Sequence, residues 1–309
     1  MSKNGSKKEY IFNLILQRNP QLLSPIVGEI ELIELEYDPN KRIDIFGRDL
    51  NHNSPIYVES QLGCSDEVHF EKIRKLIETN QNERGIFIWI ASRFKDEHLG
   101  EIRNLFESHS IEKSITILAF SIQKGYLEML DNLNQLRDLD IWKQINQKDF
   151  VLPELSLEQQ CGELSHEFKN STETVLNCPV ESPSTIEINS YLLSTLRKEV
   201  PYLLNVHRSK KLTVNPIVFG LGVSDLSIVI NLAASETTIR LENDWQSPLF
   251  QKIVWQFKCN EGNFETIVFE DKRIVFPIPE LEDFKEKVDM TTKMFKKLVD
   301  VVIPTIYSL

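Results

Sequence analysis

The chain has 309 residues, room for two domains at roughly 100–200 residues each. Hydrophobic residues make up 41% and charged residues 26%, which excludes collagen-like, mucin-like and wholly disordered classes. The formal net charge of −11 argues against a general nucleic-acid coat protein, whose binding rests on Lys and Arg.

The excess acid is uneven. Residues 128–179 carry 10 acidic and 4 basic side chains. The flanking regions are closer to neutral, so each is able to present a basic face. The apolar stretches, such as VSDLSIVINLAA, fall well short of the ~20 residues a bilayer span needs, so no membrane partner is expected. The basic start MSKNGSKKEY is followed by only a brief apolar run, and we read no signal peptide there. Cys64, Cys161, Cys178 and Cys259 lie far apart with no C-x-x-C pair, a pattern that suits free thiols in a reducing cytoplasm.

In chain order, residues 8–23 read as a helix until Pro20 interrupts it. Glu29–Tyr37 (EIELIELEY) alternates acid and apolar residues with period two, the pattern of a half-buried strand. Arg42–Arg48 and Ile56–Leu62 read as two further strands joined by the polar loop Asp49–Pro55. A helix is expected over 66–79, with Val68, Ile73, Leu76 and Ile77 on its apolar face. Gly85–Ala91 (GIFIWIA) and Ile115–Ile122 (ITILAFSI) are nearly continuous apolar runs, as in strands buried on both faces. A helix over about 95–107 separates them.

These signals describe a mixed α/β domain over residues 1–125. Residues 126–145 read as a helix, and 146–185, with three prolines and weak periodicity, as an acidic linker. A C-terminal α+β domain is expected over 186–309. It has a helix, three strands, a helix near 248–258, two more strands and a long final helix over about 280–303.

The chemistry concentrates between Arg42 and Gln61. Asp44 sits among apolar strand residues, and Glu59 and Gln61 share one face of the next strand because side chains alternate. If the two strands pair as a hairpin, Asp44 meets Glu59. Two adjacent carboxylates repel and are costly to bury, so they need compensation. A hard divalent cation supplies it: Mg²⁺ prefers oxygen ligands and commonly uses one or two carboxylates. The alternative is a pair of edge-strand carboxylates neutralised by Arg42, Arg48 or a helix lysine.

Other motifs carry less. Asp66 and His69 lie one helical turn apart, so they either border this site or cap and pack their helix. Glu97 and His98 open the next helix, where acid suits the helix dipole. His98 and Glu101 do not make an H-E-x-x-H zinc motif, and Gly220-Leu221-Gly222 lacks the residues of a phosphate loop. Trp89, inside an apolar strand, reads as core. Arg197, Lys198, Arg208, Lys210 and Lys211 bracket a helix end and could contact a phosphate backbone. Lys293, Lys296 and Lys297 on the final helix read as a solvated face.

The runs R-I-D-I-F-G-R-D, I-Y-V-E-S-Q-L, S-D-x-x-H-F-x-K-I and G-I-F-I-W-I-A-x-x-F-x-x-E-H resemble the PD-(D/E)XK, or restriction-endonuclease-like, nuclease superfamily. The likeness covers about residues 5–125 and is nearest to bacterial two-domain proteins with an E-x-Q motif. It implies a restriction-endonuclease-like mixed sheet flanked by helices. Asp44 and Glu59 would hold Mg²⁺ (or Mn²⁺), with Gln61 as a third catalytic residue in the position usually held by lysine. Glutamine hydrogen-bonds but brings no positive charge. Glu9 on the first helix, or Glu36 at the end of the first strand, would be the accessory acid. The activity implied is endonucleolytic hydrolysis of DNA, in restriction or anti-phage defence, by a homodimer with one site per strand. A catalytically impaired nuclease-like binding or interaction module is the alternative, and an RNA-processing or repair nuclease a third reading.

Overall fold

The computed structural model describes residues 7–35, 43–79, 84–110, 114–164, 183–208, 210–223, 226–233, 236–243, 247–259, 264, 266–281 and 283–308. The chain divides into two units, residues 1–174 and 175–309.

In the first unit, helix α1 (Lys7–Arg18) buries Ile11, Phe12, Leu14, Ile15 and Leu16 completely and ends ahead of Pro20. A short helix α2 (Ser24–Val27) leads to strand β1 (Ile30–Leu35). Strands β2 (Ile45–Asp49) and β3 (Pro55–Ser60) form the expected hairpin, with Ile45 opposite Val58. Helix α3 (Glu67–Thr79), strand β4 (Arg84–Ala91), helix α4 (Asp96–His109) and strand β5 (Ser114–Ile122) follow. The unit then continues through helices α5 (Lys124–Asn134) and α6 (Asp138–Ile145) to strand β6 (Leu155–Cys161).

The sheet runs in chain order, β1 to β6. Strands β3, β4 and β5 are parallel, and every other neighbouring pair is antiparallel. The two parallel connections need crossovers, which α3 and α4 provide. From Gly85 to Ala91 every residue of β4 is buried, as a strand covered on both faces must be. One face carries Tyr57, Phe87, Trp89, Ile117 and Ala119, packed with Phe70, Ile73 and Ile77 of α3 and Ile102 and Leu105 of α4. The other strand residues, including Val58, Ile88, Ile90 and Leu118, are fully buried on the opposite face.

Several elements differ from the sequence reading. Val68 is 67% exposed, so the inward stripe of α3 is Phe70, Ile73 and Ile77. The expected helix over 126–145 is two helices, α5 and α6. Part of the expected linker is a strand: β6 pairs antiparallel with β5 along the sheet edge. Asp44 lies one residue before β2 rather than inside it.

The second unit begins with helix α7 (Thr185–Glu199). Ser184 accepts from the Glu187 N–H while the Glu187 carboxylate accepts from the Ser184 N–H, a reciprocal N-terminal cap. Strands β7 (Ile217–Gly220), β8 (Leu226–Ala233) and β9 (Glu236–Asn243), helix α8 (Pro248–Cys259), strands β10 (Val268–Phe269) and β11 (Arg273–Pro277), and helix α9 (Phe284–Tyr307) complete it. The antiparallel sheet has the order β10-β11-β9-β8-β7. Phe219, Ile228, Leu241 and Ile274 align across four of its strands and are all fully buried. The Phe219 ring meets Phe295 of α9 edge-on, with centroids 5.4 Å apart. The whole is a mixed α/β protein with a six-stranded mixed sheet flanked by helices and a second, smaller sheet with its own helices.

No helix among the described residues is long and apolar enough to cross a membrane.

Candidate metal centre

The hairpin register that puts Ile45 opposite Val58 brings Asp44 next to the end of β3. Asp44 Oδ2 accepts from the Ser60 N–H at 2.8 Å and from the Ser60 hydroxyl at 3.1 Å. The Ser60 hydroxyl also lies against the Asn13 side-chain amide of α1, which fixes that helix against the same strand end. Desolvation raises the Asp44 carboxyl above its ordinary value. The Ser60 N–H, Lys72, the Ser60 hydroxyl and His69 each oppose that rise.

Glu59 is more deeply placed, with its residue 1% exposed. Burial first, and then repulsion from Asp44, push its carboxyl up to about 8 against the pull of Lys72; Glu9 of α1 adds a smaller repulsion. Its two oxygens have different fates. Oε1 accepts a hydrogen bond from Lys72 Nζ of α3. Oε2 is buried and has no hydrogen-bond partner among the described residues. An unsatisfied buried carboxylate oxygen costs about 1–3 kcal/mol or more. A divalent cation shared with Asp44 would satisfy it, so the donor set fits Mg²⁺ or Mn²⁺.

Asp66 and His69 form one corner of this site. Asp66 Oδ1 accepts from the His69 N–H at 3.0 Å and pairs with His69 Nδ1 at 2.8 Å. Burial works to raise the Asp66 carboxyl, but these hydrogen bonds and the His69 charge outweigh it and hold it below its ordinary value. The far nitrogen of His69, Nε2, lies 3.9 Å from Glu59 Oε1.

Gln61 is occupied by structural work. Its Oε1 accepts from Trp89 Nε1 at 3.2 Å, and its Nε2 donates to the Cys64 carbonyl and approaches Asp66 Oδ2 at 3.4 Å. The loop that holds it is tied to the exit of β4 by backbone bonds from Gln61 N to Ile90 O and from Ser65 N to Arg93 O. Trp89 is wholly buried, as expected, and its indole N–H orients Gln61.

The structure thus gathers Asp44, Glu59, Gln61, Asp66 and His69 at one end of β3, with Glu9 electrostatically coupled to Glu59. Glu36 lies outside the described residues. Lys72 is the helix lysine that the sequence reading offered, without a number, as a neutralising partner; it reaches Glu59 from α3 instead of from the strand position of Gln61. The signal was present: Asp66, His69 and Lys72 recur every third residue, and on a helix such residues lie close to one face.

In the second unit the basic residues are partly engaged locally. Arg197 Nε donates to the Val206 carbonyl at 3.1 Å. Lys210 Nζ donates to Asn205 Oδ1 at 2.8 Å and sits over the Phe219 ring. Lys198 lies in the last turn of α7. Arg208 directly follows a short 3₁₀ turn and Lys211 is exposed.

A second group of metal-ligand type lies between α3 and α4: Glu67, His98 and Glu101 offer ligand atoms within 4.8 Å of one another.

No protein-family model matches the chain, and no curated protein matches it. The crystal structure of a repair endonuclease from Pyrococcus abyssi is similar over 36% of this chain and 46% of its own length, with 18% sequence identity and a TM-score of 0.26. The chain therefore spans under half of that structure.

Proposed function

We propose that the first unit is a nuclease centre that hydrolyses DNA phosphodiester bonds with Mg²⁺ or Mn²⁺. The observation that carries this reading is Glu59: a buried carboxylate with one oxygen on Lys72 and the other without a hydrogen-bond partner among the described residues, beside Asp44. Asp44 and Glu59 would hold the cation. When bound, it would activate a water and offset charge on the scissile phosphate.

The chain's own groups do the rest. Lys72 Nζ supplies the positive charge that Gln61 does not, placed beside Glu59 where an attacking water and a phosphate oxygen would come together. His69, fixed through Nδ1 by Asp66, turns Nε2 toward the same place, where it can bind a phosphate oxygen or pass a proton. Gln61 acts as a positioning residue through Trp89 and Cys64. Ser60 and Asn13 hold Asp44 in place. The basic residues Arg197, Lys198, Arg208, Lys210 and Lys211 are proposed as phosphate contacts of the second unit. Cutting both strands calls for two centres and hence a homodimer. A role in restriction or anti-phage defence is drawn from the sequence resemblance alone.

One observation favours the alternative of a binding module without catalysis. The Lys72–Glu59 contact partly compensates the buried acid without any cation.

The test is incubation of the purified full chain with supercoiled plasmid in Mg²⁺ or Mn²⁺, and in EDTA, beside Asp44→Asn, Glu59→Gln and Lys72→Met. Metal-dependent nicking or linearisation, lost in Asp44→Asn and Glu59→Gln and strongly slowed in Lys72→Met, is the expected result. Activity that survives Asp44→Asn and Glu59→Gln would remove this site from the reaction. Absence of both cleavage and Mn²⁺ binding would leave the binding-module reading.

A further inference from the structure

We infer that Glu67, His98 and Glu101 form a second metal site, for a borderline divalent transition ion with zinc preferred, which clips α3 to α4. This inference is independent of the nuclease reading, because none of the three residues bonds to Asp44 or Glu59.

The donors come from two helices. Glu67 opens α3, and His98 and Glu101 lie one turn apart near the start of α4, so their side chains share a face. One ligand atom from each lies within 4.8 Å of the others. Zinc bonds imidazole nitrogen and carboxylate oxygen at roughly 2.0–2.2 Å, so the group must close slightly around an ion. Glu67 has the freedom to do this, because its side chain is 63% exposed. Three protein ligands leave a fourth position for water. An imidazole donor counts against Mg²⁺ and Ca²⁺, which take oxygen ligands, and zinc stands near the top of the affinity order for such sites.

His98 points to a ligand independently of the acids. Its side chain is 4% exposed. The ring stacks near Phe70 at 6.4 Å and packs beside Trp89 at 5.8 Å. Nδ1 lies 2.8 Å from Ser65 Oγ. That hydroxyl already accepts from the Lys95 N–H at 2.9 Å, and its remaining lone pair can take an Nδ1–H. Ser65 can instead donate to Nδ1; metal binding requires the tautomer with the proton on Nδ1, which puts the lone pair on Nε2. Nε2 makes no hydrogen bond among the described residues and faces Glu67 Oε2 at 4.0 Å, too far for one. Glu101 Oε2 is likewise buried without a hydrogen-bond partner among the described residues. A cation would satisfy both atoms at once. Ser65 would then be the outer group that fixes the ring, as metal-bound histidines ordinarily require.

The position gives the clip a consequence. Ser65 and Glu67 flank Asp66, and α3 carries His69 and Lys72. A metal joining α3 to α4 would hold these groups against the sheet.

The experiment uses the full chain carrying Asp44→Asn and Glu59→Gln, so that the proposed catalytic centre cannot contribute. The chelator-stripped protein is titrated with Co²⁺, read by visible absorption, and then with Zn²⁺ in competition. Binding of one equivalent is expected, undisturbed by millimolar Mg²⁺. Adding Glu67→Gln or Glu101→Gln should weaken it by at least about tenfold, the least that losing even an outer partner costs. Zinc should also raise the melting temperature of the parent and not of the Glu67→Gln chain. Glu67 is exposed, so that substitution leaves the fold intact where His98→Asn could disturb the packed ring. No zinc binding, or binding equal in Glu67→Gln and Glu101→Gln, overturns the inference.

Discussion

Lys72 reaches Glu59 from α3, while the strand position two residues beyond Glu59 holds a glutamine whose amide is spent on Trp89 and Cys64. The two side chains therefore separate charge from positioning, and their substitutions should fail differently. Lys72→Met takes a hydrogen bond from the buried Glu59, so its fold is checked by circular dichroism before its kinetics are read. It should lower kcat for plasmid cleavage by roughly 10²–10³, as for loss of one preorganised electrostatic donor. An unaltered kcat would show that the charge has no part in the chemistry. Gln61→Leu should act on stability instead. It strands the buried Trp89 N–H and the Cys64 carbonyl, at a cost of about 1–3 kcal/mol read from the urea midpoint. Asp44 and Glu59 were legible in the sequence because period-two alternation and a polar loop fix which strand residues meet. Lys72 was legible only as one helix lysine among several, because a lysine on a helix ordinarily marks a solvated face, and the third dimension decides which one lies over β3.

Elements were legible where periodicity is strong. The buried runs of β4 and β5 and the helices α3 and α4 announce themselves by apolar patterning. Strand β6 did not, because its burial pattern is almost wholly exposed or intermediate and its sequence, LSLEQQC, is polar. It forms because β5 offers an open ladder of backbone groups, which sequence polarity does not report. Val68 was misplaced because the apolar stripe of α3 can be drawn through 68 or through 70, and only packing against Trp89 and its neighbours selects Phe70. The opposite edge of the sheet depends on Gly47. A Cβ there would lie 2.5 Å from the Glu31 carbonyl and 2.9 Å from Leu32 Cδ2, beside the register shift where β1 pairs with β2. Gly47→Ala must therefore push β1 away. We expect a loss of about 1–3 kcal/mol in denaturant unfolding, the usual cost of overpacking. An unchanged midpoint would mean that β1 yields freely and adds little to the sheet.

At the scale of the whole molecule, the buried acid makes folding and metal binding respond to pH in opposite ways. In the unfolded chain Glu59 loses its proton near 4.5, whereas in the folded chain burial and Asp44 delay the loss to about 8. Between these values the folded state binds more protons than the unfolded state. Stability must then fall as pH rises through that window and level off above about 8. The raised Asp44 adds to the fall in the same direction. The melting temperature without metal should drop between pH 5 and pH 8. Glu59→Gln should flatten the drop by several degrees, since 1 kcal/mol corresponds to roughly 2–4 °C for domains of 150–250 residues. A cation needs the ionised carboxylate and must displace that proton. Mn²⁺ affinity should therefore climb by up to about tenfold per pH unit below 8 and then plateau. Melting curves in EDTA and in Mn²⁺ should converge at low pH and separate at high pH. Parallel pH profiles for wild type and Glu59→Gln, with or without Mn²⁺, would show that Glu59 is neither the titrating group nor a ligand.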